Sequence, residues 1–323
     1  MKHPEAPIMA RKRKGDDHGE RLGDVDDFDD PDAEYEIIRA PFPMVRKLQR
    51  SLPEDYAGPA YIWDIDKTWL DTRFSQVKGM LKIPFEFAVD KRALPGTTAL
   101  LHALRAGPSE RGHAPLFFIT ASPPFIRRAI ERKMLIDGVE FDGITYKDQV
   151  EVFRRRHFDS LREHTPFKLG ALLLLARAFP PKTQIHLFGD DAERDALIYC
   201  LFADISAGRL RGADLRATLV GMGSRASYAD DVGVLADELE PKERVAGIYI
   251  NLVREPEGSR VAAYDGRVVG YPSAGAVARL LWQRGLVGED GRDRVEGTGR
   301  VVIGQAPADP EGWWTPAEHR RRG

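Results

Sequence analysis

Residues 61–72 read Tyr-Ile-Trp-Asp-Ile-Asp-Lys-Thr-Trp-Leu-Asp-Thr. The apolar run Tyr61-Ile62-Trp63 has the form of a buried strand. It ends on two carboxylates one residue apart, Asp64 and Asp66, followed by the hydroxyl of Thr68. Residues i and i+2 of an extended chain project to the same side, and open α/β sheets bind ligands at the carboxyl ends of their strands. Two acids side by side at such a mouth ask for a metal, a phosphoryl group, or both.

Three further elements follow the same logic. Thr120-Ala121-Ser122 closes the apolar run Leu116–Ile119, and Gly189-Asp190-Asp191 closes Gln184–Phe188, with Asp195 five residues beyond Asp190. Lys168 stands in the first turn of an expected helix, where a cation opposes the macrodipole. A bound anion at that helix start removes the conflict, because N–H groups and ammonium then face the same charge. Each residue type has a chemical use. Mg²⁺ takes carboxylate oxygens, usually one or two, together with substrate phosphate and waters; Asp64 and Asp190 can supply them. A carboxylate such as Asp64 can also attack phosphorus. Asp66 is placed to protonate a departing oxygen and then deprotonate water, while Thr120 can donate its hydroxyl to phosphoryl oxygens. The candidate metal set is Asp64, Asp66, Asp190 and Asp195, with Thr120 and Lys168 as phosphate ligands. Blander roles suffice for neighbours: Ser122 as a helix cap ahead of Pro123, Asp191 and Glu193 as first-turn acids, and Trp63, Trp69, Trp282 and Phe188 as core.

The elements that must carry these residues alternate strand with helix, the pattern of a parallel sheet with crossover helices. A helix is predicted after Pro95, ending at Gly107. Strands are expected at 116–119, 141–146, 184–188, 245–252 and 268–269. Helices are expected at about 148–163, 166–179, 192–204 and 273–285, and a short helix at 41–52 leads into the first strand. The fold class is therefore α/β, a doubly wound, mostly parallel sheet. Residues 1–36 form a leader dominated by acids beyond the basic knot Arg11-Lys12-Arg13-Lys14, expected to be disordered for want of apolar surface. The domain runs over 37–287, and 288–323 is a loosely ordered tail rich in Gly, Asp, Arg and Pro.

Composition excludes several classes. The net charge of -2, from 48 basic and 50 acidic residues, gives no global field for nucleic acid. The basic faces Arg127, Arg128, Arg132 and Lys133, and Arg154-Arg155-Arg156-His157, read as solvated surface. The single cysteine, Cys200, fits a reducing compartment. No apolar run approaches the ~20 residues of a membrane span, and a cytoplasmic protein is expected.

Taken in order, the four elements resemble the haloacid dehalogenase (HAD) superfamily of aspartate-nucleophile phosphatases, and within it the catalytic domain of the actin-patch-associated phosphatidate phosphatase family. The D-x-D-x-T strand end, Thr120-Ala121-Ser122-Pro123, the lysine of Phe167-Lys168-Leu169-Gly170-Ala171-Leu172, and Gly189-Asp190-Asp191 through Asp195 to Tyr199 carry the likeness, as does Val245–Ile250. It covers roughly residues 41–255. Lys67 and Asp191 depart from the family's usual residues. The resemblance implies a Mg²⁺-dependent phosphomonoesterase with Asp64 as nucleophile and Asp66 as general acid/base. Thr120 and Lys168 would hold phosphate and Asp190 the metal. The spacing from Asp64 to Thr120 and on to Lys168 leaves room for a flap at about 71–94 and for no large cap domain. An open site suits a phosphate on a large or surface-presented substrate, so phosphatidate or a related phospholipid at a membrane surface is the expected partner. Two alternatives stand beside it: a phosphatase of phosphoprotein or nucleic-acid ends, and a catalytically silent scaffold.

Overall fold

The computed structural model describes residues 35–38, 42, 44–66, 68–69, 93–122, 127–148, 164–254, 261, 264 and 266–298. Eight strands form one sheet in the order β1-β2-β5-β4-β3-β6-β7-β8. They are β1 (Tyr35–Ile38), β2 (Met44–Leu48), β3 (Pro59–Asp64), β4 (Leu116–Thr120), β5 (Gly143–Lys147), β6 (Gln184–Asp190), β7 (Val245–Asn251) and β8 (Val269–Tyr271). From β5 through β8 all pairings are parallel, while β2 runs antiparallel to β5 and β1 antiparallel to β2. Chain order runs outward from β3 to β4 and β5, then crosses to β6 on its other side. β3 is therefore the topological switch point, where the crevice of such a sheet opens.

The central strands are continuous apolar runs because both faces are covered. Along β3, Ala60 and Ile62 enter one core, and Tyr61 and Trp63 the other. The first core lies under α3 (His164–Ala178), α4 (Asp195–Ser206), α5 (Gly212–Gly221) and α6 (Ala226–Asp237). The second lies under α1 (Thr97–Ala106), α2 (Arg127–Ile136), α7 (Ala274–Gln283) and α8 (Glu289–Thr298). α3 is buried nearly all round, from Thr165 to Ala176, because α4 and α6 cover the side that the sheet does not. A helix with apolar residues on every side has no solvent face to present. Gly96 enters α1 at φ 81°, a left-handed conformation that favours glycine.

Several expectations are corrected. The expected helix at 41–52 is strand β2: Phe42 and Met44, two apart, both enter the first core, and a period of two is a strand's period. The segment 288–298, expected in a loose tail, forms α8. Its few apolar residues hid it, since only Gly291 and Val295 are buried. Gly291 lets the helix approach closely: a Cβ there would lie 3.0 Å from that of Ala103 on α1. Glu110 accepts from the Gly291 N–H at 3.0 Å, and Arg279 pairs with Glu296 at 2.7 Å. Trp282, expected in the core, is 40% exposed, with the Arg292 guanidinium 4.3 Å from its ring centroid. α3 begins at His164, making Lys168 its fifth residue and placing it beyond the first turn. The leader up to 34, most of the helix expected at 148–163, the second basic face and the tail beyond 298 lie outside the described residues.

His186 on β6 sits in the second core between Tyr61 and Tyr249, with its Nε2 unpartnered. Burial first, then the nearby Arg284 charge, lowers its pKa to about 4. The fold thus favours the neutral ring. Its contribution is complete above the unfolded value near 6.5 and is lost as pH falls towards 4, amounting to about 3 kcal/mol. His186→Phe should therefore flatten the acid limb of stability, read as urea unfolding free energies at pH 7 and pH 4.5. An acid limb of unchanged steepness would contradict this.

Candidate active site

The carboxyl ends of β3, β4 and β6, the three strands at the switch point, deliver Asp64, Thr120 and Asp190 to one place. Asp64 lies on the face of β3 covered by α3, and the i+4 logic of that helix does the rest. Lys168 is one turn in from its start and is 1% exposed, reaching the sheet through a dry layer. Its Nζ lies 3.0 Å from Asp64 Oδ1 and 3.1 Å from Glu193 Oε2, and it also bonds Asp195 Oδ1. One ammonium thus holds acids from β3, from the loop after β6 and from the start of α4.

The β6 end is built by short-range bonds. Asp190 Oδ1 accepts the N–H groups of Ala192 at 2.5 Å and Glu193 at 3.1 Å, an Asx-type turn. Asp195, first residue of α4, is a first-turn acid of the kind the helix dipole favours. Its Oδ2 accepts from the Asp190 N–H at 3.2 Å. Such proximity requires Gly189, since a Cβ there would lie 2.7 Å from the Cβ of Asp195. Tyr199 donates its hydroxyl to the Phe188 carbonyl at 3.0 Å, tying α4 back to β6. Asp191 faces the other way: its Oδ1 accepts the Val253 and Arg254 N–H groups at 2.7 and 2.8 Å, fixing the turn after β7.

Asp66 is held separately. Thr120 Oγ1 donates to its Oδ2 at 2.9 Å, Ser122 Oγ bonds both of its oxygens at 3.1 and 2.9 Å, and the Ser122 N–H donates to Thr120 Oγ1 at 3.0 Å. The structure therefore divides the candidate residues into two groups, Asp64 with Lys168, Asp190 and Asp195, and Asp66 with Thr120. Ligand oxygens of Asp64, Asp190 and Asp195 all lie within 4.8 Å of one another; Asp66 is not part of that group. Ser122, read as a cap, is engaged with Asp66, and Glu193, read as a dipole acid, is a partner of Lys168. Both had a signal in spacing: Ser122 is two residues past Thr120, and Glu193 completes the turn begun by Asp190. His164, one helical turn before Lys168, carried none. Its Nδ1 is buried without a partner, and burial followed by the Lys147 charge lowers its pKa to about 4, leaving a neutral ring. Lys67 lies outside the described residues.

The electrostatics are those of too many acids for one base. Burial opposes the charge on Lys168, but Asp195, Asp64 and Glu193 outweigh it and hold the ammonium charged well above the usual lysine range. Burial pushes Asp64 well above the usual carboxylate range despite Lys168, and the neighbouring acids add to the push. Asp190 is pushed up to about 7 by burial and then by Asp195. Asp64 Oδ2 and Asp190 Oδ2 are both buried without a hydrogen-bond partner. Bare carboxylate oxygens in a dry site are costly, and a divalent cation is the ligand that satisfies hard oxygen donors while cancelling their surplus charge. Asp64, Asp190 and Asp195 fit one.

Residues 60–217 match a family model described as phosphatidate phosphatase APP1, catalytic domain. No curated protein and no solved structure matches the chain.

A cation bound by this cluster stabilises the fold by mass action, by about 2.7 kcal/mol at a hundredfold excess over its dissociation constant. Thermal melting of the chelator-treated protein should shift upward on addition of Mg²⁺ or Mn²⁺, and Asp190→Asn should remove most of the shift. Identical melting with and without divalent ions would exclude the cluster as a metal site.

Proposed function

We propose, on the premise that residues 60–217 belong to the family of the phosphatidate phosphatase APP1 catalytic domain, a HAD-like phosphatase family, that this protein is a Mg²⁺-dependent phosphomonoesterase. Its proposed course runs through a phosphoryl group carried on Asp64, with phosphatidate or a related phospholipid as substrate. The observation that supports it most is the asymmetry of Asp64. One oxygen is engaged by Lys168 while the other, in the same buried cluster, has no partner.

Asp64 is the nucleophile. Its carboxylate attacks phosphorus, the bond from phosphorus to the substrate oxygen breaks, and Asp66 in its acid form gives a proton to the leaving oxygen. Asp66, now a carboxylate, takes a proton from water; the resulting nucleophile attacks phosphorus, the bond to Asp64 breaks, and inorganic phosphate departs. Exposure supports this division of labour. Asp64 is 1% exposed, as suits a nucleophile kept from bulk water, whereas Asp66 is only partly buried, as suits a group that must meet both leaving group and water. The Thr120 and Ser122 hydroxyls orient the Asp66 carboxylate, and Thr120 stands at the strand end where phosphoryl oxygens would lie. Lys168 keeps Asp64 aligned and offers positive charge to the phosphoryl group. When bound at Asp64, Asp190 and Asp195, Mg²⁺ supplies neutralisation of the phosphate charge.

The segments 70–92 and 149–163 separate the described elements around the site, and each is shorter than the ~50 residues of the smallest domains. That length favours a substrate presented at a surface over a small metabolite sealed under a cap. No helix among the described residues is long and apolar enough to cross a membrane. The proposed setting is a cytoplasmic protein that meets its lipid at an interface.

A phosphate-release panel with Mg²⁺ tests this: phosphatidate vesicles, a generic aryl phosphate, a phosphopeptide and a 5′-phosphorylated oligonucleotide. Phosphatidate should be the best substrate. Asp64→Asn should lower kcat by roughly a thousandfold or more, and Asp66→Asn by about 10²–10⁴. Equal release by Asp64→Asn and the parent would sink the nucleophile assignment. Release confined to the peptide or the oligonucleotide would move the substrate class, and no release at all would favour a binding scaffold.

A further inference from the structure

The sheet has a second polar opening at its other end. Where β6 and β7 begin, residues 181–184 and 242–246 line a cavity of about 280 Å³. A strand rises about 3.3 Å per residue, so β6 sets this cavity on the order of 20 Å from Asp190, well apart from the carboxylate cluster. Its charge is one-sided. Lys182, Lys242 and Arg244 line it, and its one lining acid, Glu243, is engaged by Arg209.

Two lining side chains are buried and incompletely matched. Thr183 is 2% exposed and its Oγ1 has no partner; Arg244 is 5% exposed and its Nε has none. Arg244 Nη1 donates to the Ala176 carbonyl at 3.3 Å, which accounts for part of the residue as a cap on the last turn of α3. That bond leaves Nε and the Thr183 hydroxyl unmatched, and a buried donor without an acceptor is costly. The cationic lining of Lys182, Lys242 and Arg244 calls for an acceptor-only group with several oxygens and negative charge. Guanidinium and ammonium groups that line one cavity beside a hydroxyl match phosphate in this way.

We propose that this cavity is a binding site for a phosphate-type oxyanion, distinct from the catalytic cluster. It opens at the end of the sheet opposite Asp64, so a lipid headgroup held here would turn the carboxylate cluster away from the bilayer. Free phosphate or a phosphorylated small molecule is therefore the source that this geometry favours.

The test is calorimetric titration of inorganic phosphate into the full chain without divalent ions, so that neither turnover nor metal loading enters the readout. The Lys182→Ala/Lys242→Ala double variant, altered only at exposed side chains, should bind at least about tenfold more weakly than the parent. Thr183→Val, nearly isosteric, should weaken binding several-fold, and Asp64→Asn should retain it. An unchanged affinity in the double variant, or loss of all phosphate binding in Lys168→Met with the double variant unaffected, would overturn the proposal. Sedimentation with phosphatidate vesicles separates the two sources. Vesicle binding retained by the double variant, with inorganic phosphate binding lost, assigns a soluble ligand, and loss of both assigns the headgroup.

Discussion

One buried ammonium holds this active-site candidate together. Lys168, on a helix with almost no solvent-facing side, reaches Asp64, Glu193 and Asp195 at once. Those acids come from a strand end, a loop and a helix start that are distant in sequence. A single lysine facing several dry carboxylates is not a neutral arrangement. Burial raises both Asp64 and Asp190, and each keeps one oxygen unmatched. A buried ion pair chosen for stability alone would be balanced, because unpaired buried charge costs several kcal/mol. Surplus charge held rigidly in a dry crevice is instead the form expected of a site that waits for a cation and a phosphoryl group.

The surrounding fold supplies this rigidity. β3, as the switch strand, places Asp64 between the ends of β4 and β6. Gly189 allows Asp195 to come within hydrogen-bonding range of the Asp190 N–H, and Tyr199 ties α4 to β6. Asp191 accepts the Val253 and Arg254 N–H groups and so fixes the turn after β7. Asp66 answers to a second, softer set of contacts from two hydroxyls. Asp64 and Asp66, the proposed nucleophile and proton carrier, are therefore held by different chemistry: one by an ion pair, the other by two hydroxyls.

Much of this is legible in the residues. The apolar runs ending in Asp64, Thr120 and Asp190 mark both strands and site, because a polar residue closing a buried strand stands where such a sheet binds its ligands. Lys168 stands out as misplaced, though for a reason the structure revises, since it is the fifth residue of α3 and its partners are side chains. What the sequence does not disclose has physical causes. α8 lacks an apolar stripe because a glycine contact and ion pairs dock it. β2 is hidden among prolines and basic residues, with only Phe42 and Met44 showing its period. Ser122 and Glu193 each have a sufficient local role, and only the convergence of separate elements shows the larger one.

The central claim is that Asp64 carries the phosphoryl group, and it can be read directly. The protein is turned over with Mg²⁺ and phosphatidate, quenched within milliseconds in acid, reduced with borohydride to convert any acyl phosphate to homoserine, and mapped by mass spectrometry. Conversion is predicted at Asp64 and at no other carboxylate. Conversion at another acid, or steady turnover with Asp64 unmodified at every quench time, would contradict it.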